Sequence, residues 1–318
     1  MLREDNLRKA KVALLSIYSN TTLVVLKLAV GIVMMSVSVV SEAIHSMIDL
    51  VAAVIANYSV RKAAIPADED HAYGHGKYEN YAGVIEAILI FLAAALIIYE
   101  AATRLIAGAE VELVQAGIVV MGVSVVINYF VSRQLLKVGK EEDSIALIAD
   151  GMHLRTDVYT SLGVFLGLVL ISITHIQSLD PIIAIGVAVM IIRAAYELTR
   201  ESSKGLVDEA LPPEEEAAVK EALQRHAMEF VNFHALRSRK SGAERFIDLH
   251  LVVNRQMCVL DAHTLCDTLE KEIEGKLPHT NVLIHLEPCD EENCPIRDGS
   301  RFIRLDSDGA DGPGRKET

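Results

Sequence analysis

The hydrophobic pattern divides the chain into two parts. Over about the first 200 residues, apolar side chains run in long stretches, whereas the remainder alternates apolar and polar positions like a soluble sequence. At about 1.5 Å per helical residue, each stretch is long enough to cross a hydrocarbon core of about 30 Å. We therefore predict six transmembrane helices, numbered as spans 1 to 6, at residues 12–36, 39–62, 80–106, 112–135, 144–174 and 178–199.

The second part of the chain predicts a small α+β domain with the order α-β-β-α-β. Pro213, followed by three glutamates, suits the start of a helix, and Asp261 suits the N-cap of a second helix. The predicted elements are a helix at 213–229, strands at 232–239 and 244–253, a helix at 262–275 and a strand at 280–287. We expect a transmembrane domain at 1–207, a soluble domain at 208–295 and a disordered tail at 296–318.

Basic residues in the connections predict the orientation of the spans. Lysines and arginines gather at the N-terminus, in the 2–3 and 4–5 connections and after span 6, whereas the 3–4 turn is acidic. The positive-inside rule then places both termini and the soluble domain in the cytoplasm. We expect an integral protein of the lipid bilayer in a bacterial inner membrane, because the sequence shows no eukaryotic targeting segment.

Charge and cysteine content narrow the possible classes of protein. The net charge of −13 comes mainly from the soluble part and the tail, so it does not suggest a nucleic-acid partner. The four cysteines all lie in the soluble part, and their spacing does not form a disulfide framework. They suit a reducing cytosol.

The spacing His-x-x-x-Asp occurs twice inside the apolar stretches. One copy is His45 and Asp49 in span 2, and the other is His153 and Asp157 in span 5. Residues four apart share one face of a helix, so two facing helices would supply four ligands, the number that tetrahedral Zn²⁺ takes. Ionisable residues at membrane depth are costly and mark ion or proton paths. The alternative interpretation of each copy is a satisfied polar pair between helices.

The placement of polar residues among the spans predicts which helices meet. Helices that carry charge must face the bundle interior, so we expect spans 2 and 5 to be neighbours. Asn20, Thr21 and Thr22 of span 1 are candidates to line the same polar interior. Spans 3 and 6 read as nearly pure hydrocarbon in their centres.

A second cluster of ligand-type residues lies between spans 2 and 3. It contains Asp68, Asp70, His71 and His75, and the glycines beside His75 indicate an irregular backbone. Three of these side chains could bind one metal ion in a loop at the cytoplasmic face. Such a site would be exposed and weak, with a role in regulation or capture. A solvated polar loop is the alternative.

Together these features resemble the cation diffusion facilitator family of metal-ion/proton antiporters. The resemblance covers about residues 8–290 and rests on the paired His-x-x-x-Asp, on the segment DEDHAYGHGKYE that begins at Asp68, and on a His-rich C-terminal domain. It implies a homodimer in which six membrane spans precede a metallochaperone-like cytoplasmic domain.

The resemblance implies a transport site between spans 2 and 5 and a metal site in the loop. The matching residues are His45, Asp49, His153 and Asp157 for transport, and Asp68, His71 and His75 in the loop. A histidine at the first position resembles the zinc-preferring members, and it disfavours Mn²⁺ and Mg²⁺, which want more oxygen ligands. Because protons and Zn²⁺ compete for each imidazole, alternating exposure would exchange cytoplasmic Zn²⁺ for external protons.

The resemblance also implies metal ligands in the soluble domain, where one or two Zn²⁺ ions would regulate transport by drawing the two soluble domains of the dimer together. The matching positions are His234, His250, His263, His285 and Glu287. His285 and Glu287 lie two apart on a strand and therefore share a face. Cys289 and Cys294 follow that strand, with a spacing longer than the CxxC of zinc sites, and both remain open candidates.

The expected function is the export of Zn²⁺ from the cytoplasm by proton antiport, and not catalysis. The His/Asp ligand set does not exclude Fe²⁺, Cd²⁺, Co²⁺ or Ni²⁺ as the main substrate. A zinc protease would need His-Glu-x-x-His, which the sequence lacks, and a di-iron oxidase would need paired Glu-x-x-His, of which Glu42 and His45 form one copy. A transport-inactive metal sensor is the remaining alternative.

Overall fold

The computed structural model describes residues 4–33, 37–107, 115–174 and 179–289 of the chain. These residues form two compact units, which meet in the sequence at Leu206 and Val207. The first unit is helical and the second is mixed α/β. The tail expected at 296–318 lies outside the described residues.

Six long helices make up the first unit within the described residues. They are α1 (Glu4–Val33), α2 (Val37–Ala63), α3 (Lys77–Ala107), α4 (Gln115–Glu141), α5 (Ile145–Thr174) and α6 (Leu179–Lys204). By length and composition, three segments of the described chain are apolar enough to cross a membrane: Asp5–Val30, Lys77–Thr103 and Ile182–Lys204. Within the described residues, α2, α4 and α5 contain no segment that meets the same criteria. The count of six spans therefore stays a prediction.

The helices of this unit pack as neighbouring pairs. α1 lies against α2, α3 against α6 and α4 against α5, and α2 also contacts α5 as the charged spans predict. Small residues permit the close approach of these helices. A Cβ added to Gly83 on α3 would collide with the side chain of Ser202 on α6, and one added to Gly151 on α5 would lie 2.8 Å from the Cγ of Leu136 on α4.

The second unit has the predicted order α-β-β-α-β. Its elements are α7 (Pro213–Arg225), β1 (Asn232–Ser241), β2 (Glu244–Val253), α8 (Val259–Lys276) and β3 (Thr280–Pro288). The sheet has the order β1-β2-β3, with β1 antiparallel and β3 parallel to β2. Alternate residues of β2 are buried in a core shared with both helices, including Leu249, Leu251, Leu269 and Ile273. The intervening residues of β2, His250 among them, project from the other face of the sheet.

Three local predictions in this unit were wrong. α8 begins at Val259 rather than 262, because the side chain of Cys258 accepts a hydrogen bond from the amide of Asp261 and acts as the N-cap. Asp261 lies in the first turn instead, where its carboxylate favours the helix dipole. α7 ends at Arg225, four residues early.

Candidate metal sites

The α2–α5 cluster consists of Asp49 from α2 and His153 and Asp157 from α5. One ligand atom from each of these residues lies within 4.8 Å of the others. Nε2 of His153 is 3.1 Å from Oδ1 of Asp49, and both side chains are buried. Nδ1 of His153 has no hydrogen-bond partner among the described residues. His45 lies one turn before Asp49 on the same helix, but its side chain lies outside the described part of the structure.

Span 1 contributes to this cluster through Asn20. The side chain of Asn20 is buried, and its Nδ2 donates to the backbone oxygen of Asp49 at 3.5 Å. Thr21 and Thr22 are exposed, and their hydroxyls donate to the carbonyls of Ile17 and Tyr18, each at 2.7 Å. The expectation that both threonines line the interior was wrong, because a helical threonine satisfies its hydroxyl on the preceding turn.

Several further ionisable residues of the helical unit are buried, among them Glu86, Asp150 and Lys27. Glu86 of α3 and Asp150 of α5 are 0% exposed, and no hydrogen bond reaches their carboxylate oxygens from the described residues, although Ser16 faces Asp150. Glu86 interacts electrostatically with Asp150 and His153. Lys27 of α1 is 5% exposed. The sequence interpretation gave Glu86 and Lys27 no role, although a lone ionisable residue in an apolar span is a signal in itself.

Arg155 is the exception to the rule that charged residues of span 5 face inward. Its side chain is exposed, and its Nε donates to the hydroxyl of Tyr159 at 2.6 Å while the guanidinium lies over the same ring. Arg155 therefore belongs to the outer surface of α5 and not to the cluster.

The loop cluster between α2 and α3 contains Asp68, His71 and His75. Their ligand atoms also lie within 4.8 Å of one another, and Asp70 is not part of the group. The amide of His71 donates to Oδ1 of Asp68 at 2.7 Å, and Nε2 of His75 lies 3.5 Å from Oδ2. Gly74, at φ 76°, supplies the left-handed turn between the two histidines.

Burial distinguishes His75 from a residue of a merely solvated loop. His75 is 2% exposed, and neither nitrogen of its ring makes a hydrogen bond within the described chain. The hydrogen bond from the backbone amide of His71 holds the pKa of Asp68 below its ordinary value, so this carboxylate stays ionised beside the two imidazoles. The three groups suit a divalent cation at the rim of the helical unit.

The sheet cluster of the second unit contains His234, His250 and Glu287, from β1, β2 and β3. Glu287 joins the two imidazoles, with Oε2 at 2.9 Å from Nε2 of His234 and Oε1 at 2.8 Å from Nδ1 of His250. These hydrogen bonds hold the pKa of Glu287 below its ordinary value. β1 shifts register directly after His234, with Ala235 at φ 52°, and such a bulge re-aims the neighbouring side chains.

His285 extends this row of histidines, whereas His263 lies apart from it. His234, His250 and His285 are register neighbours across the three strands, and the rings of His250 and His285 are 4.8 Å apart. His285 lies 4.0 Å from Glu287, outside the three-residue group. His263 is exposed on α8 and lies 3.7 Å from Asp267, so the single chain does not bring it to the cluster, and its role as a ligand stays a prediction.

The cysteines add no ligand to these clusters within the described residues. Cys289 is buried and unbonded to another sulfur, and Cys294 lies outside the described residues. Burial raises the pKa of the Cys266 thiol in the core to about 11, which disfavours the thiolate needed for metal binding.

The three clusters share one chemistry. Each combines carboxylate oxygen with imidazole nitrogen, a donor set that suits Zn²⁺ and its first-row neighbours better than Mg²⁺ or Ca²⁺. They differ in surroundings, because the α2–α5 cluster is buried between helices whereas the sheet cluster is open on one face. A buried site suits a transported ion, and an open site suits exchange with the surrounding solution.

Comparison with known proteins identifies the domain type of each part of the chain. Residues 13–207 match the cation efflux transmembrane domain, and residues 211–289 match the cation efflux protein cytoplasmic domain. An uncharacterised transporter of Synechocystis, sll1263, is 35% identical over 88% of this chain and 90% of its own length. The cation-efflux pump FieF of Pectobacterium atrosepticum is 29% identical over 80% of this chain and 84% of its own.

A solved structure of CzrB, described as a zinc transporter in its Zn form, is 39% identical over 26% of this chain and 92% of its own, with a TM-score of 0.25. The family matches cover both parts of the chain, and they confirm the resemblance and the fold class inferred from the sequence. The chain therefore belongs to the cation efflux family: it is a membrane-embedded metal transporter, not an enzyme, with a helical transmembrane domain and a C-terminal cytoplasmic dimerisation domain.

Proposed function

We propose that this chain exports divalent cations, chiefly Zn²⁺, from the cytoplasm in exchange for protons. The observation that carries this proposal is the group of Asp49, His153 and Asp157, contributed by two helices of the transmembrane domain, in which Asp49 and His153 are buried. His45 would complete a tetrahedral set of two imidazoles and two carboxylates. Two carboxylates balance the charge of one divalent ion, which makes its passage through a low-dielectric interior feasible.

Proton coupling follows from the same ligands. An imidazole binds either a proton or a metal ion through a given nitrogen, so the two cations compete for the site. When the site faces the cytoplasm it binds Zn²⁺, and when it faces a more acidic exterior it takes up protons and releases the metal. The positive-inside pattern supports this orientation, because it predicts that both termini lie in the cytoplasm. The bacterial relatives support placement in an inner membrane.

The two other clusters have separate roles in this proposal. Asp68, His71 and His75 capture cations at the cytoplasmic rim of the transmembrane domain. His234, His250 and Glu287, with His285 beside them, bind cytosolic Zn²⁺ as a regulator, and His263 joins from the homodimer partner or from a rearranged protomer. The zinc there would hold imidazole and carboxylate groups of three strands together and favour one arrangement of the dimer.

The test is metal flux into proteoliposomes under an imposed pH gradient. We expect gradient-driven Zn²⁺ flux in the wild type and its loss in Asp49→Ala and Asp157→Ala. Glu197→Gln is the matched control, since Glu197 is an exposed carboxylate of α6 that pairs with Arg193 outside the cluster. Repeating the assay with Cd²⁺, Fe²⁺, Co²⁺ and Ni²⁺ ranks the substrates.

Three outcomes of this flux assay would contradict different parts of the proposal. Flux that survives both aspartate substitutions would move the pathway away from α2 and α5. Flux that ignores the pH gradient would remove the antiport. Metal binding without flux in the wild type would identify a sensor.

A further inference from the structure

A lysine is buried in the helical unit beside the ligand-bearing stretch of α2. Lys27 of α1 is 5% exposed, and its Nζ donates to Oγ of Ser46 at 2.8 Å. Ser46 itself is 3% exposed. Burying an ammonium group is costly even when it is hydrogen-bonded, so such a residue within an apolar helix indicates a role connected with its charge.

The contacts place this ammonium close to the α2–α5 cluster. Ser46 follows His45 directly and precedes Asp49 by three residues, a spacing that puts Ser46 and Asp49 on one face of the helix. Asn20 fixes the alignment of the two helices, because it donates to the backbone oxygen of Asp49. Lys27 lies two turns beyond Asn20, and helical side chains lean toward their own N-terminus, here toward the level of Asp49. The ammonium therefore lies within about 10 Å of the carboxylate of Asp49, judged from the spacing of helical turns.

We propose that Lys27 lowers the affinity of the α2–α5 site for its cation, so that the bound ion is released during transport. The proposal rests on the proposed function of that site. Without metal, the ammonium offsets part of the charge of the surrounding carboxyl groups. With a divalent ion bound, it repels that ion. At about 10 Å and the effective dielectric of protein sites, this repulsion changes the dissociation constant by at least about tenfold.

The direction in which metal affinity changes when Lys27 is replaced distinguishes this electrostatic role from a structural one. If Lys27 only supported the packing of α1 on α2, its replacement would disturb the site and weaken metal binding. If it acts by repulsion, removal of its charge strengthens binding. Tighter binding of the ground state also slows release, so the apparent KM and kcat should fall together.

The test compares Lys27→Met with Lys27→Arg, which retains the charge, in the proteoliposome assay with Zn²⁺. We expect Lys27→Met to lower both KM and kcat about tenfold and Lys27→Arg to stay within about threefold of the wild type. Ser46→Ala removes the hydrogen bond but keeps the ammonium, so it should change KM less than Lys27→Met does. Lys11→Met controls for the loss of one positive charge, since Lys11 is an exposed residue of the same helix.

A second measurement keeps the inference testable if Lys27→Met does not fold. Lys27→Gln has no charge but retains a donor for Ser46. Zn²⁺ binding to the full-length protein is measured with and without Asp157→Ala, and the component of binding that Asp157→Ala removes gives the dissociation constant of the α2–α5 site. A constant equal to or larger than that of the wild type overturns the role of Lys27. If Asp157→Ala removes no binding from the wild type, the proposed transport site itself has failed, which is a different result.

Discussion

Nε2 of His153 lies 3.1 Å from Oδ1 of Asp49, and this contact joins α5 to α2 inside the transmembrane domain. Asp157 lies beside the pair, one turn further along α5, so a cation in the cluster would bind both helices. Movement of one helix relative to the other would then change the ligand geometry. Transport and metal selectivity therefore depend on the same few ligand atoms. Changing the ligand type at one position should change which metals are transported.

The substitution His45→Asp should broaden the range of transported metals. It replaces an imidazole with an oxygen ligand, and Mn²⁺ and Fe²⁺ accept oxygen-rich sites more readily than Zn²⁺ does. We expect the ratio of Zn²⁺ to Mn²⁺ uptake in proteoliposomes to fall at least about tenfold. His279→Asp is the control, because His279 lies at φ 55° in the soluble domain, a conformation that aspartate tolerates. A ratio unchanged in His45→Asp would show that His45 is not a ligand.

The α2–α5 site was largely predictable because its signal is local. A spacing of four residues fixes a shared helix face whatever the surrounding fold, so Asp49, His153 and Asp157 follow from the sequence. Glu86 and Lys27 were not predicted as buried residues, because the direction that a lone charge faces depends on how α3 packs on α5 and α1 on α2. Single-helix periodicity carries no such information.

The soluble domain illustrates the same limit. The strand predicted at 244–253 matches β2, since a period of two is also a local signal. The start of α8 was misplaced because Asp261 suits an N-cap by residue type, whereas Val259 and Leu260 lie on the first turn as exposed apolar residues. The convergence of His234, His250 and Glu287 depends on strand order and register, which arise only from the tertiary fold.

Substitutions in the loop cluster should impair capture of cations without abolishing transport. We expect Asp68→Asn and His75→Gln to raise the apparent KM for Zn²⁺ several-fold, about threefold to tenfold, while kcat stays nearly constant, because the loop precedes the transport site on the path. Asp70→Asn is the control, as Asp70 is adjacent but outside the group. An equal loss of kcat would instead assign these residues to the transport step.

Metal binding in the loop cluster should depend on pH. The pKa of Asp68 is lowered by the hydrogen bond from the amide of His71, so its charge persists to lower pH than that of an ordinary aspartate. Protons compete with metal ions for imidazole nitrogen, so acidification should weaken metal binding in this loop. Equilibrium dialysis measures zinc binding to the full-length wild type and to His75→Gln. The difference in zinc affinity between the two proteins should disappear as the pH is lowered.

The substitution Glu287→Gln should weaken metal binding in the soluble domain by at least about tenfold, because an amide is a poorer metal ligand than a carboxylate. The matched control is Asp248→Asn, which lies on the same face of the sheet but pairs with Arg237. Both variants keep the shape of the side chain. Zinc content and affinity of the full-length protein provide the measurement, and equal affinities in the two variants would remove Glu287 from the site.

The contact between α3 and α6 should be sensitive to one methyl group. Gly83→Ala forces a Cβ against the side chain of Ser202, and overpacking of this kind costs about 1–3 kcal/mol. Gly186→Ala on α6 meets nothing within 4 Å and should leave stability unchanged or slightly higher. Thermal unfolding followed by circular dichroism in detergent compares the two. Adding Ser202→Gly should restore the stability of Gly83→Ala, and a failure to do so would place the strain elsewhere.

His226 should make the α7–α8 contact sensitive to pH. Its Nδ1 lies 2.8 Å from Glu229 and its Nε2 lies 2.6 Å from Glu272, so the protonated ring donates to two carboxylates. The hydrogen bond with Glu229, followed by that with Glu272, raises the pKa of His226 above its ordinary value. A raised pKa means that the folded state holds the proton more tightly than the unfolded chain does. The resulting stabilisation is complete below the ordinary histidine value of about 6.5 and is lost as the pH rises through the raised pKa.

Hydrogen exchange of the α8 amides in the full-length protein measures this effect. After correction for intrinsic exchange rates, protection of α8 should fall in the wild type as the pH rises above about 6.5, by an amount on the order of 1 kcal/mol. His226→Gln keeps a hydrogen-bonding side chain without a titrating group, so its protection should be lower at pH 6 and nearly independent of pH. Because His226 lies away from the row of histidines on the sheet, added Zn²⁺ should not remove the difference between the two proteins. If wild type and variant lose protection in parallel, another group controls this contact, and Glu272 would then act only through Arg225, which lies 3.2 Å from it.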